Sequence, residues 1–152
     1  MIKEIPAGES HVAAATLLEL RPHHQTAERL AQQIDKQRAD GYRIVASLTE
    51  DGEAAGVAGF RIGENTAWGR HLYVDDLVTR ASNRGEGHAD ALFAWLFDEA
   101  RRTGCGEFHL DSGVGPDRED AHRFYFRHRL RITSYHFPSQ SNDTCDRAHS
   151  IV

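Results

Sequence analysis

The run from Leu72 to Arg102 constrains this chain more than any other segment: a strand rich in β-branched and aromatic residues feeds a polar loop with two glycines, and the loop opens directly into an amphipathic helix. Ala89, Leu92, Phe93, Leu96, Phe97 and Ala100 recur at three- and four-residue spacing, so one stripe of the helix is apolar and needs a sheet to lie on. A helix N-terminus carries unpaired N–H groups and a partial positive charge, and Gly85 and Gly87 let an anion come close to that main chain. Arg84 adds a permanent cation suited to a diphosphate. The loop lacks the Gly-Lys-Ser/Thr of a nucleoside triphosphate loop, which argues against a hydrolysing NTPase. It also lacks the third glycine of the dinucleotide fingerprint and follows several antiparallel strands, which argues against a Rossmann oxidoreductase.

The remaining periodicities place the other elements around this unit. Ile2 and Ile5 edge a short first strand, and Ser10 is positioned to cap a helix that carries Val12, Ala15, Leu17, Leu18 and Leu20 as far as Arg21-Pro22. A second helix follows Thr26, with Ala27, Leu30, Ala31 and Ile34 as its apolar stripe and Asp40-Gly41 as its stop. Tyr42 to Leu48 and Ala54 to Ile62 read as antiparallel strands around the Asp51-Gly52 turn. A third long strand spans about Trp68 to Thr79. Strict alternation puts Leu72, Val74, Asp76 and Val78 on one face and Tyr73, Asp75, Leu77 and Thr79 on the other, sending the adjacent Asp75 and Asp76 in opposite directions. Beyond the long helix, Phe108 and Leu110 mark a strand, Asp117 caps a short helix to about Phe126, and Ile132 to Phe137 form a last strand before a polar tail over 138–152. The expected fold is a mixed α/β (α+β) domain over 1–137, a mainly antiparallel sheet flanked by helices. Its chain order is strand, two helices, three strands, helix, strand, helix, strand.

Composition narrows the function classes. At 152 residues the chain has the length of one domain, which buries roughly 70% of its unfolded surface. Eighteen Lys and Arg against 23 Asp and Glu leave a net charge of −5, so the chain lacks the positive field that nonspecific nucleic-acid or anionic-membrane binding needs. The first residues have no apolar signal core and no stretch is long enough to cross a bilayer, so a cytoplasmic protein is expected. Cys105 and Cys145 are too far apart and too few for a disulfide scaffold or a zinc knuckle. His23-His24, His136 and His149 have no carboxylate or cysteine at ligand spacing, so no metal is expected. Arg123, Arg127, His128, Arg129 and Arg131 form a basic cluster without an aromatic stacking platform, and a solvated face is its plainer reading.

Arg84-Gly85-Glu86-Gly87-His88-Ala89 resembles the Arg/Gln-x-x-Gly-x-Gly/Ala segment of the GNAT superfamily of acyl-CoA-dependent N-acyltransferases, and Ala121-His122-Arg123-Phe124-Tyr125 resembles that family's Ala-x-x-Phe/Leu-Tyr helix. The order of elements from Met1 to Phe137 is similar to the family's topology. The resemblance implies that the N–H groups of Gly85, Glu86, Gly87, His88 and Ala89 hold the pyrophosphate of acetyl-CoA, with Arg84 at the edge of that loop. It also implies that the strand end Leu77, Val78 and Thr79 pairs with the pantetheine arm, with the Leu77 N–H facing the thioester carbonyl. Tyr125 falls where the family's tyrosine protonates the coenzyme A sulfur, and Asp75 where related small-amine acetyltransferases carry a suggested base; Asp75, Asp76 and bulk water all stay open for that role.

Three positions depart from the family pattern. Arg129 stands where a glycine usually ends the tyrosine-bearing helix, Arg118 where many members have an asparagine that touches the pantetheine, and His88 where a small or apolar residue is common. The expected reaction is direct acetyl transfer to a primary amine of a small molecule in a ternary complex, without a metal. The alternatives are a protein or peptide acceptor and a noncatalytic acyl-CoA-binding module. The acceptor would be chosen by the first two helices and the loop from Arg21 to Gln25, and an exchanged C-terminal tail would build a homodimer.

Overall fold

A computed structural model describes residues 1–141. The chain divides into two compact units, Met1–Leu110 and Asp111–Val152. In the first, β1 (Ile2–Glu4) leads to α1 (His11–Leu20) and α2 (Ala27–Arg38), then to β2 (Arg43–Leu48), β3 (Ala54–Asn65), β4 (Gly69–Thr79), α3 (His88–Arg102) and β5 (Glu107–Leu110). The strands form one sheet in the order β1-β2-β3-β4-β5, antiparallel throughout except for the parallel pair β4–β5. The mixed α/β class and mainly antiparallel sheet expected from the sequence are the observed ones.

The helices cover the two faces of the sheet with different side chains. Ala13, Ala14 and Leu17 of α1 and Leu30 and Ile34 of α2 are buried with Tyr42, Ile44, Ala46 and Val57 in one core. On the other face, α3 buries Leu92, Phe93, Leu96 and Ala100, and Trp95 meets the ring of Phe60 edge-on. A carboxylate also lies on this inner face. Glu99 is 5% exposed and is held by Arg43 at 2.6 Å and Arg102 at 2.7 Å, which answers its desolvation with two cations.

Capping differs in detail from expectation. Thr26 accepts from the Arg29 N–H and caps α2 as its position implies. Ser10 precedes α1 but gives its hydroxyl to Asp35, tying the two helices together instead of capping one.

A bulge in β4 overturns the even alternation read from the sequence. Gly59 of β3 pairs with Asp76, but the next residue, Phe60, pairs with Val74, leaving Asp75 as an extra residue. Before the bulge, Val74 lies opposite Phe60 on the α3 face; after it, Val78 lies opposite Val57 and packs into the α1–α2 core. Asp76 and Val78 therefore do not share a face with Leu72 and Val74. Asp75 and Asp76, expected to point apart, line the same pocket.

The second unit contains a 3₁₀ turn, Pro116–Arg118, and α4 (Glu119–Arg127). Asp117 was expected to cap this helix; it lies inside the turn that Pro116 starts, and its carboxylate pairs with Arg118 at 3.5 Å. The Arg129 N–H bonds to Phe126 O and the Leu130 N–H to Tyr125 O, closing α4 with Arg129 in the left-handed conformation at φ 63°. No strand follows among the described residues, against the expectation for Ile132 to Phe137. The apolar side chains there, Ile132, Tyr135 and Phe137, change phase between the first and second, so no single face is apolar, and all three are exposed. Cys145, His149 and the tail beyond residue 141 lie outside the described residues.

Candidate active site

The parallel pairing of β4 with β5 stops at Val74 and Leu110, while β4 continues five residues further, to Thr79, paired only with β3. Among the described residues no strand covers the other edge of that extension. Arg80 donates its N–H to Ala55 O on the β3 side at 2.7 Å. Because antiparallel residues alternate between facing a partner and facing away, Val78 also turns toward β3, and Leu77 and Thr79 present their N–H and C=O groups to the open edge. The bulge at Asp75 separates this edge from the paired half of the strand.

From Thr79 the chain runs through a 3₁₀ turn, Ala81–Asn83, into the loop that starts α3. Gly85 at φ 83° and Gly87 at φ 85° adopt the left-handed conformation, and a Cβ at either position would meet nothing within 4 Å. Their need for glycine is therefore conformational. None of the N–H groups from Gly85 to Ala89 finds an acceptor among the described residues, while the Ala91 N–H bonds to Gly87 O. The exposed Arg84 guanidinium has no protein partner among them either. This cradle of free donors beside a free cation fits a diphosphate.

The departure at His88 has a visible role. Its Nδ1 lies 2.8 Å from Ser47 Oγ on β2 and its Nε2 3.2 Å from Glu86 Oε2, which also accepts from Asn83 Nδ2 at 3.1 Å. The imidazole thus fastens the loop to the sheet. The hydrogen bonds from Asn83 and His88 hold the Glu86 carboxyl below the usual carboxylate range.

On the α1–α2 side, a pocket of about 270 Å³ is lined by residues that include Leu17, Arg21, His23, His24, Asp75 and Asp76. Neither carboxylate arrives alone. Asp75 is gripped by both arms of the Arg61 guanidinium, and Asp76 accepts from Arg21 Nε at 2.7 Å and from the Tyr42 hydroxyl at 2.7 Å. Arg21 Nη2 also donates to the Asp75 carbonyl at 3.0 Å. Desolvation, strengthened by the Asp76 charge, pushes the buried Tyr42 hydroxyl far above the usual tyrosine range. Arg21 opens the loop expected to choose the acceptor, but its bond to Asp76 had no sequence signal, nor did Arg61 and Tyr42, since the three stand 55, 14 and 34 positions from the carboxylates they hold.

Tyr125 and Arg118 belong to the second unit. Tyr125 is half-buried on α4, and burial raises its hydroxyl above the usual range while the Arg118 charge pulls it down. Among the described residues no cluster of three or more His, Cys, Asp or Glu is placed to hold a metal, and no helix is long and apolar enough to cross a membrane.

A two-glycine loop opening a helix beside a half-unpaired strand, within this order of elements, defines the fold of the N-acetyltransferases. The model of the acetyltransferase (GNAT) family matches residues 11–129, and the chain belongs to that family. An uncharacterized N-acetyltransferase, YhdJ, of Bacillus subtilis is 46% identical over 57 residues, 38% of this chain and 39% of that protein. An aminoalkylphosphonate N-acetyltransferase of Salmonella typhimurium is 33% identical over 64 residues, 42% of this chain and 40% of that protein. The chain thus spans about two fifths of the length of the curated relatives it matches. Among solved structures, a ribosomal-protein-alanine N-acetyltransferase from Brucella melitensis biovar Abortus superimposes with a TM-score of 0.78 at 20% identity, over 92% of this chain and 99% of that one, which shows a shared fold.

Proposed function

We propose that the chain transfers an acetyl group from acetyl-CoA to a primary amine of a small molecule, by direct attack in a ternary complex. The observation that carries this reading is the run of free main-chain donors from Gly85 to Ala89, set immediately after a strand whose Leu77 and Thr79 groups face an open edge. The loop N–H groups and Arg84 hold the pyrophosphate, and Leu77 and Thr79 pair with the amide arm that leads to the thioester, whereas Val78, expected to join them, turns toward β3. The amine lone pair attacks the thioester carbonyl carbon, a C–N bond forms, and the Leu77 N–H stabilises the negative charge gathering on the carbonyl oxygen. The C–S bond then breaks, the thiolate takes a proton, and the new amide nitrogen gives one up.

Tyr125 is assigned as the acid that supplies the sulfur's proton; a hydroxyl raised above the usual tyrosine range stays protonated at neutral pH. Asp75 and Asp76 supply the acceptor side. Each is held in place by a guanidinium, and either can bind an ammonium or take its proton through water. Arg118 lies at the start of α4 and is assigned to the cofactor by its place in the motif.

Two observations favour a small acceptor over a protein chain. The pocket of about 270 Å³ falls below the roughly 300–1,000 Å³ of sites for drug-sized ligands. One curated relative is named for an aminoalkylphosphonate acceptor. The test is thiol release from acetyl-CoA across a panel of amines, amino acids, polyamines and peptides. Release with small amines and not with peptides is expected; release with peptides alone would overturn the small-molecule reading, and acetyl-CoA binding without release to any acceptor would point to a noncatalytic module.

A further inference from the structure

The pocket beside Asp75 and Asp76 is not an acidic hole. Its two carboxylates are matched by the Arg21 and Arg61 guanidinium groups, so a polycation entering it finds no uncompensated negative charge. The rest of the polar lining is the Gln33 and Gln37 amides, which bond to each other at 3.5 Å, and the donors of Arg21, His23 and His24. Arg21 commits Nε and Nη2 to Asp76 and to the Asp75 carbonyl, and its Nη1 has no partner among the described residues. His23 and His24 lie on the same wall, their rings 4.4 Å apart, and an imidazole offers an N–H to an anion in either protonation state.

The segment that presents these rings is held at a conformational cost. Gln25, directly after them, sits at φ 70°, ψ −42°, and the Thr26 N–H bonds back to His24 O at 2.8 Å. This is a γ-turn with positive φ at its centre, a strained form, closed between a 3₁₀ turn and the capped start of α2. Strain of this kind persists where surrounding structure fixes it and concentrates at ligand clamps. Here it fixes the two imidazoles over the pocket with the free Arg21 nitrogen.

We propose that this pocket selects an acceptor that carries an acidic group, carboxylate or phosphonate, on the same small molecule as its amine. The amine lies toward Asp75 and Asp76, and the acidic group toward Arg21 Nη1, His23 and His24. This rests on the acetyl-transfer reading and narrows it to amphoteric amines.

Two measurements on the full chain decide it. The first compares kcat/KM by thiol release for 2-aminoethylphosphonate, β-alanine, ethylamine and putrescine, in the native protein and in the double substitution His23→Ala, His24→Ala. Acid-bearing amines are expected to exceed ethylamine by about tenfold or more, with most of that preference lost through KM in the double variant. The double variant His23→Gln, His24→Gln, which keeps N–H donors, is expected to recover part of it. The ratio between 2-aminoethylphosphonate and β-alanine tells which acidic group is read. Equal or better turnover of ethylamine or putrescine would overturn the inference and leave acetyl transfer standing.

The second measurement follows the imidazole proton resonances of His23 and His24 during titration with the same four compounds, and it needs no turnover. Shifts with an acid-bearing amine but not with ethylamine support the site even if no thiol is released, in which case the acetyl-transfer reading fails alone. Absence of any shift with both acid-bearing amines overturns the inference.

Discussion

The Tyr42 hydroxyl reaches across the sheet to donate to Asp76 Oδ2 at 2.7 Å, passing directly over Gly59, where a Cβ would overlap the tyrosine ring. Three strands meet in this one contact: Tyr42 precedes β2, Gly59 lies in β3, and Asp76 follows the bulge of β4. With Arg21 on the other carboxylate oxygen, it fixes the pocket wall at Asp76 to the core beneath it.

Tyr42→Phe removes a hydrogen bond to a charged group and is expected to cost about 1.5–3 kcal/mol at neutral pH. The pH dependence has a definite sign. The unfolded tyrosine gives up its proton near its ordinary value of 10.0 and the folded one keeps it, so this stability is intact below pH 10.0 and falls as pH rises above it. Denaturant melts of both proteins between pH 7 and 11 check this: the native protein should lose stability more steeply on the alkaline side than the variant.

Gly87→Ala places a Cβ in open space but at φ 85°, so its cost is conformational, about 1–2 kcal/mol. Relaxation of that strain would move the N–H groups that the diphosphate needs. The rise in Tm produced by acetyl-CoA should shrink markedly in this variant, more than the loss in Tm of the free protein accounts for.

Tyr125→Phe removes the proposed proton donor and little volume. Turnover is expected to fall by about 10²-fold or more with KM for acetyl-CoA nearly unchanged. Because burial raises this hydroxyl, the native kcat should hold its plateau up to the usual tyrosine range before it declines. Equal losses in kcat and cofactor affinity would contradict the acid role.

Arg129→Gly is expected to stabilise the end of α4 by roughly 0.5–1 kcal/mol, since a left-handed residue at φ 63° is cheaper without a Cβ. A higher midpoint in thermal or denaturant unfolding, at unchanged helix content, is the readout.

Much of the fold was legible because periodicity reports burial. The apolar stripe of α3, the Asp51-Gly52 hairpin and the capped start of α2 stand where their patterns place them. The glycine loop from Arg84 to Ala89 was legible as the lead-in to α3 because its glycines and its place before a helix are local features. The orientation of Asp75 and Asp76 was not, because one unpaired residue reverses the alternation and only the β3–β4 register reveals it. The partners of those carboxylates were hidden for a related reason. Arg21, Arg61 and Tyr42 meet them through pairings between distant segments, and no spacing in the chain encodes such meetings. The final strand failed for want of an even apolar face and of a neighbour to pair with.

The extra residue in β4 lets the spacing of its two halves differ by one while both stay paired with an unbroken β3. Deleting Asp75 would make Val74 and Asp76 successive partners of Phe60 and Gly59, leaving Asp76, Leu77 and Val78 on the faces they occupy now and removing the bend together with the carboxylate that Arg61 holds. An unbulged β4 would keep the same pairs and lose what Asp75 adds beside the pocket.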